Sequence, residues 1–253
     1  WAGAPYRVGR EPRSPQEPHA GHIYYDRAGD RIMPESTGRA DRRVQAYAYL
    51  MTVKDYGVGA ERTIPRPEGY DEEKYRYAPP WPRSWNATSG KLPNSKYEIN
   101  QHPYGSDLQG VNYDYPEASY ARRRAIERLY MLHALGYLYY IQTGEGLRNI
   151  GLSEDDYRAE DGWPQLLYIR EARRFEADAV MNESDIMLAR TLVRPDAIGL
   201  GDYAMDSHAT QPKTDPTTPD MGEGEFYLPQ YTPWHQIPFR ITIPKRVDNL
   251  FIT

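Results

Sequence analysis

The chain has 253 residues, 39% hydrophobic and 26% charged, and its 31 Lys and Arg against 36 Asp and Glu leave a formal charge of −5. That balance suits a globular chain on the polar side and offers no general basic field for phosphate backbones, so nucleic acid is excluded as the expected partner. With no Cys there is no disulfide framework, thiolate chemistry or cysteine-ligated zinc or iron–sulfur centre, and no run reaches the roughly 18 apolar residues that span a bilayer.

The length suits one large domain or two small ones. Tyr at 23 and Trp at 5 supply the rigid amphipathic area that disordered chains lack, and 22 Pro with 20 Gly imply many turns. The first residues have no signal-peptide layout, and the compartment is left open between the cytoplasm and the periplasm or exterior.

In chain order, residues 1–40 read as an irregular surface-running segment with a β-like patch at 22–25, and 39–54 alternate through Val44, Ala46, Ala48 and Leu50 as a strand. A turn at 62–67 leads to a brief helix over 68–75 behind Pro67. Residues 78–114 read as a long loop without sustained period, either lining a site or interface or packed down by Trp81, Trp85 and Tyr97. The clearest element is a helix over 116–142: Pro116 and Glu117 suit its start, Ile126, Leu129, Tyr130, His133, Tyr137 and Tyr140 form one apolar face, and Gly144 and Gly146 end it. On that stripe His133 is expected as a core histidine bonded to a backbone group rather than a ligand.

Beyond the helix, 152–157 read as a capped turn headed by Ser153, 166–175 as a strand through Ile169 followed by a charged half, and 182–192 as a second helix. Residues 211–224 are turn-rich and expected to be exposed. The last twenty residues read as two strands around a basic corner, and the closing Leu250, Phe251 and Ile252 have the character of a buried strand, which implies a larger fold. Asn86 with Thr88, and Asn182 with Ser184, match the short glycosylation pattern, which carries weight only in a secreted protein.

Few strings carry chemistry. The glycines Gly199 and Gly201, with Ala204, mimic a dinucleotide fingerprint, but Met205-Asp206-Ser207-His208 replaces the helix that must follow, so they are read as a decoy. Gly57 with Gly59, and Gly222 with Gly224, lack a third glycine in register. Asp206 and His208 lie on the same side of an extended segment, the arrangement of an oriented general base or of a turn capped by Asp206. No Gly-x-Ser-x-Gly elbow is present. No His pair has i, i+4 spacing, His19 and His22 are a weak pattern, and no metal site is expected. Arg240 and Lys245 flank a Thr-Ile-Pro corner, suited to clamp a negative charge or to guard a strand edge.

Seven strings, at 1–11, 44–49, 67–71, 115–118, 168–174, 198–208 and 237–250, occur in the same order as in bacterial FAD-dependent oxidoreductases often grouped with so-called xanthan lyases, and the chain resembles that family over nearly its whole length. The resemblance implies an α/β glutathione-reductase-like flavoprotein: a partial Rossmann-type FAD domain plus an inserted α+β substrate domain with a mixed or antiparallel sheet and helices. It assigns 1–40 to a segment near the cofactor domain, 41–235 to the substrate domain and 236–253 to strands returning to the FAD domain. It further implies that the glycine fingerprint and the last FAD-binding segment lie outside the chain, on its own missing ends or on chains that carry them.

Carried over, His208 matches the histidine of the family's Gly-x-Tyr-x-x-Asp-x-His string, with Asp206 beside it, and Arg240 and Lys245 match the basic positions of the closing string, although Phe239 replaces its tyrosine and Ile241-Thr242 its Ser-Leu. Catalytic roles then fall to His208, Arg240 and Asp206, and FAD contacts to Lys245, Asn249 and Thr253. Arg170, Glu171, Arg173 and Arg174 match a cluster that serves as an ion-pair network or a substrate clamp, and Ala48 stands where relatives commonly carry Asn. The implied reaction moves a hydride from a hydroxylated, sugar-like small molecule to the flavin, in a protein with no membrane span that is compatible with a homo-oligomer. Two rivals stand beside it: a non-catalytic binding or structural subunit, and a polysaccharide hydrolase or lyase, which needs a pair of carboxylates across a cleft.

Overall fold

A computed structural model of the chain describes residues 3–78, 91–100, 105–213, 215 and 217–252; Trp81, Trp85, Asn86, Thr88 and Thr253 lie outside the described residues. The chain divides into two compact units, the first made of Trp1–Gln45, Glu171–Gln211 and Thr217–Thr253, the second of Ala46–Arg170 and Pro212–Pro216. The segments 1–40 and 236–253 thus fall in the first unit, and the region 41–235 is shared between both.

The elements are β1 (Tyr6–Arg7), β2 (Tyr25–Asp26), β3 (Arg31–Ile32), β4 (Met51–Asp55), β5 (Lys91–Leu92), β6 (Lys96–Ile99), helix α1 (Tyr120–Thr143) and β7 (Ile150–Leu152). They continue with β8 (Arg174–Phe175), helix α2 (Glu183–Met187), β9 (Ala197–Gly201), β10 (Met205–Ser207), β11 (Phe226–Leu228) and β12 (His235–Pro238). Every strand pair among the described residues is antiparallel. The second unit holds a four-stranded sheet in the order β5-β6-β4-β7, and the first is built of two-stranded ribbons, β1-β8, β2-β3, β9-β12 and β10-β11. The described residues therefore carry the antiparallel sheet with helices, but no parallel strand pair of a Rossmann-type sheet, because turns join strands of only two to five residues and no β-helix-β crossover links parallel neighbours.

In the second unit α1 starts later than Pro116 suggests. Tyr115–Glu117 is a 3-10 turn, Ala118 is extended, and Ser119 caps the helix by accepting from the Arg122 amide at 3.3 Å. A hydroxyl that satisfies an orphan amide outweighs a proline that merely tolerates the first turn. The buried face comprises Ile126, Tyr130, Ala134, Tyr137, Leu138 and Ile141, whereas Leu129 is 44% exposed. Fully buried Gln142 ties the end of the helix to its surroundings, accepting from the Ile64 amide at 2.9 Å and donating to the carbonyls of Arg62 and Ile150, each at 2.7 Å.

Several expectations are corrected. The strand expected over 39–54 forms only at Met51–Asp55, with isolated bridges at Tyr47 and Ala48; residues 46–49 are all buried, so no alternation of faces exists there. The expected loop 78–114 contains β5 and β6, whose hairpin turns through Asn94 and Ser95 at φ 63° and 57°. Asn tolerates that left-handed region, so the turn forms without the glycine that would have announced it. The helices expected at 68–75 and 182–192 shrink to a 3-10 turn, Glu72–Lys74 capped by Asp71, and to the five residues of α2 within a capping box of Asn182 and Asp185. At the end of the chain β12 passes into a 3-10 turn, Phe239–Thr242. Leu250 to Ile252 are not a strand, and Phe251 is 63% exposed and packs on Phe239 at 5.7 Å between ring centres. In 211–224, Asp220, Gly222, Glu223 and Gly224 are buried rather than exposed.

His133 lies on α1 against Tyr75, whose phenol donates to the His133 carbonyl at 2.9 Å and sits 3.4 Å from its Nδ1. Burial pushes its imidazole down to about 4, against an ordinary 6.5. The unfolded chain takes up that proton first, so native stability falls by up to about 3 kcal/mol as pH drops from 6.5 towards 4 and by nothing more below. Thermal unfolding from pH 7 to 4 measures this; His133→Phe should remove that part of the slope.

Gly136 lies on the same helix, where a Cβ would fall 2.3 Å from the Tyr75 hydroxyl oxygen. Tyr75 is 2% exposed and hydrogen-bonded, so it cannot swing aside. Gly136→Ala, which in an open helix gains about 1 kcal/mol, should here lower stability by about 1–3 kcal/mol through overpacking. A denaturation midpoint at or above the parent's would refute the tight contact.

Candidate active site

In the first unit β10 pairs with β11 so that Asp206 stands opposite Tyr227, and the strand delivers His208 just beyond its end. His208 is 2% exposed. Its backbone amide donates to Gln45 Oε1 at 2.9 Å, and the amide nitrogen of Gln45 donates to Glu171 Oε2 at 3.3 Å. Glu171 is ion-paired to Arg174, which also donates to the Gly9 carbonyl at 2.5 Å and to both carboxylate oxygens of Glu11 at 2.8 Å. A continuous polar chain thus runs from the main chain of His208 to the β1-β8 ribbon. His208 Nε2 lies 3.8 Å from Asp206 Oδ2, near enough for a charge contact but too long for a hydrogen bond.

Behind that chain sits a denser network. Arg10 forks onto Asp41, at 3.1 Å from Nε and 2.5 Å from Nη2, and reaches Glu223 from Nη1 at 2.6 Å. Glu223, 2% exposed, also accepts from the Ile23 amide at 3.0 Å, from Arg43 at 3.3 Å and from the Thr210 hydroxyl. Burial opposes the charge on Arg10, yet its bonds to Asp41 and Glu223 hold the guanidinium above its ordinary value; burial likewise opposes the Asp41 carboxylate, which Arg10 and Arg43 hold below the usual carboxylate range. The glycines around Glu223 serve this approach: Gly222 and Gly224 have φ of 133° and 88°, and a Cβ on Gly224 would lie 3.1 Å from Arg10 Nη1.

Between the chain and the network opens a cavity of about 130 Å³, whose wall includes Arg10, His19, Gln45, Glu171, Arg174 and Ser207. His19 pairs with Glu183 and is flanked by the rings of Tyr25 and Phe226, at 5.4 and 5.7 Å between centres.

His208 and Asp206 are therefore brought together, and Ser207 between them lines the cavity. Arg240 is not brought to them: it is exposed and pairs with Asp196 at 3.0 Å, holding that carboxyl below its usual range. Lys245 and Asn249 lie exposed in the closing turns, Asn249 and neighbouring Arg246 at positive φ. The cluster at 170–174 splits, Arg170 turning to Asp107 and Asn100 of its own unit, Arg173 covering the Tyr6 ring, and Glu171 and Arg174 joining the chain from His208. Gly199 and Gly201 lie in a strand paired to β12, and the next element is β10 rather than a helix, in keeping with a decoy.

Gln45, Arg10 and Glu223 escape the sequence reading. The first is one amide in an apolar stretch, and the pairing of Arg10 with Glu223 spans 213 positions; the useful signal was Glu223 set between two glycines, which demand positive φ around a buried acid.

Removing one partner of a buried ion pair strands the other. Glu223→Ala should cost about 3–5 kcal/mol, read as a lowered denaturant midpoint, whereas Glu11→Ala at the exposed end should cost less than about 1 kcal/mol. Equal losses would disprove the central place of Glu223.

Lys245 and Arg246 carry exposed charges with no ion pair among the described residues. A glycine turn running into a helix, which would cradle the pyrophosphate, is not found among the described residues. Compared with known families, residues 1–253 match the profile described as FAD dependent oxidoreductase. No curated protein and no solved structure matches the chain.

Proposed function

The chain belongs to the FAD dependent oxidoreductase family, an enzyme family whose cofactor is FAD and with which its mixed α and β structure is consistent, and we propose that it oxidises a hydroxylated small molecule with His208 as the group that accepts the hydroxyl proton. The observation that carries this reading is His208 itself, 2% exposed, with its main chain tied to Gln45 and Asp206 close by. The imidazole in that setting is the group to take a proton from a substrate hydroxyl, with the Asp206 carboxylate 3.8 Å away. FAD, when bound, supplies the two-electron acceptor.

The chain's own residues then divide the work. Gln45 fixes the backbone that carries His208, and Lys245 and Arg246 hold negative charge on the cofactor. Arg240, engaged with Asp196, orients the turn after β12 and stands outside the proton chemistry. Family membership is also what supports a Rossmann-type cofactor-binding part. A polysaccharide hydrolase is disfavoured, because Glu171 is committed to Arg174 and Gln45 and Asp206 stands beside His208.

Replacing His208 by Ala in the flavin-loaded protein should lower kcat by about 10²–10⁴-fold while bound flavin per chain, read from its visible absorption, stays unchanged. Parallel loss of flavin and turnover would make His208 a structural residue.

A further inference from the structure

We propose that the cavity walled by Gln45, Glu171 and Ser207 is the recognition site for a neutral polyol fragment, a step that rests on the reading of the protein as an oxidoreductase acting on hydroxylated molecules and names where such a molecule is held. Three observations converge on it. The first is size: about 130 Å³ is close to the volume of engineered cavities of about 150 Å³ that take up benzene, so the guest is a fragment of about six heavy atoms.

The second is charge. Both guanidinium groups in the wall have their forks taken, Arg10 by Asp41 and Glu223, Arg174 by Glu11 and Glu171. With Glu183 on His19 added, carboxylates outnumber guanidinium groups around the space even after Arg43 is included. An entering carboxylate meets net negative charge and no open fork. An entering ammonium has to compete with two arginines for carboxylates they already hold and gives up its hydration to do so.

The third is the kind of wall. Ser207 offers a hydroxyl, whereas Ile23 and Phe226 on the same cavity are apolar. A hydroxyl both donates and accepts, and a polyol carries hydroxyls on one edge and C–H bonds on the other. Ser207 lines the cavity one residue before His208.

Three isosteres separate the alternatives: glycerol, glycerate and 2-amino-1,3-propanediol, titrated into the full 253-residue chain and followed by ligand-observed NMR, which needs no turnover. Glycerol should bind saturably and more tightly than the anion or the amine. Ala20→Leu, which fills the cavity from a residue in its wall, should weaken glycerol at least about tenfold, some 1.4 kcal/mol, and Ser207→Ala should weaken it about threefold or more. If Ala20→Leu fails to fold, judged by near-ultraviolet circular dichroism, Ser207→Ala decides. Tighter binding of glycerate or of the amine, glycerol binding untouched by the variants, or no saturable binding overturns the site. Glycerol binding that persists in a catalytically dead His208→Ala protein upholds it; if that variant has lost its flavin as well, the proton role of His208 fails while the polyol site stands.

Discussion

The buried contact between Arg10 and Glu223 is the constraint on which the first unit depends. Its strands are pairs of two to five residues, too short for ladder hydrogen bonds alone to hold them in place. Arg10 belongs to the stretch after β1, Asp41 to the approach to Gln45, Glu223 to the turn before β11, and one guanidinium gathers all three. A cation with two anionic partners, one almost wholly shielded from water, is stable only when every partner is in place. The network therefore specifies an arrangement more than it adds net stability, and Gln45 and Ser207 take their positions from it.

The candidate site shows how positioning and chemistry are shared between different kinds of group. His208 is held by its backbone amide on Gln45, and the Asp206 carboxylate stands 3.8 Å from its ring. Arg240 illustrates the opposite case: matching a family string places it on the right turn, but Asp196 already claims its guanidinium.

What was legible in the sequence were features written in consecutive residues. The amphipathic stripe of α1, its glycine stop, the decoy character of Gly199 and Gly201 and the juxtaposition of Asp206 with His208 all follow from local spacing. What was not legible depended on distant partners or on small conformational signals. Asn94 in a left-handed turn hid a hairpin inside an apparent loop, Ser119 competed with Pro116 for the helix start, and the apolar end of the chain at Leu250 to Ile252 looked like a strand although Phe251 merely packs on Phe239. The ionic network was invisible because its members lie up to 213 positions apart. Composition also misled: the charged run at 170–174 looks like one cluster and divides between partners in different places.

Gln142 of the second unit does with one side chain what otherwise takes a strand. Its amide closes main-chain groups at Arg62, Ile64 and Ile150 around the end of α1, so the chain before the long excursion from Ile64 to the helix and the chain after the helix are fastened at one point. Losing that one side chain strands an amide and two carbonyls together, so a polar residue at a helix end is as constrained as the apolar residues around it.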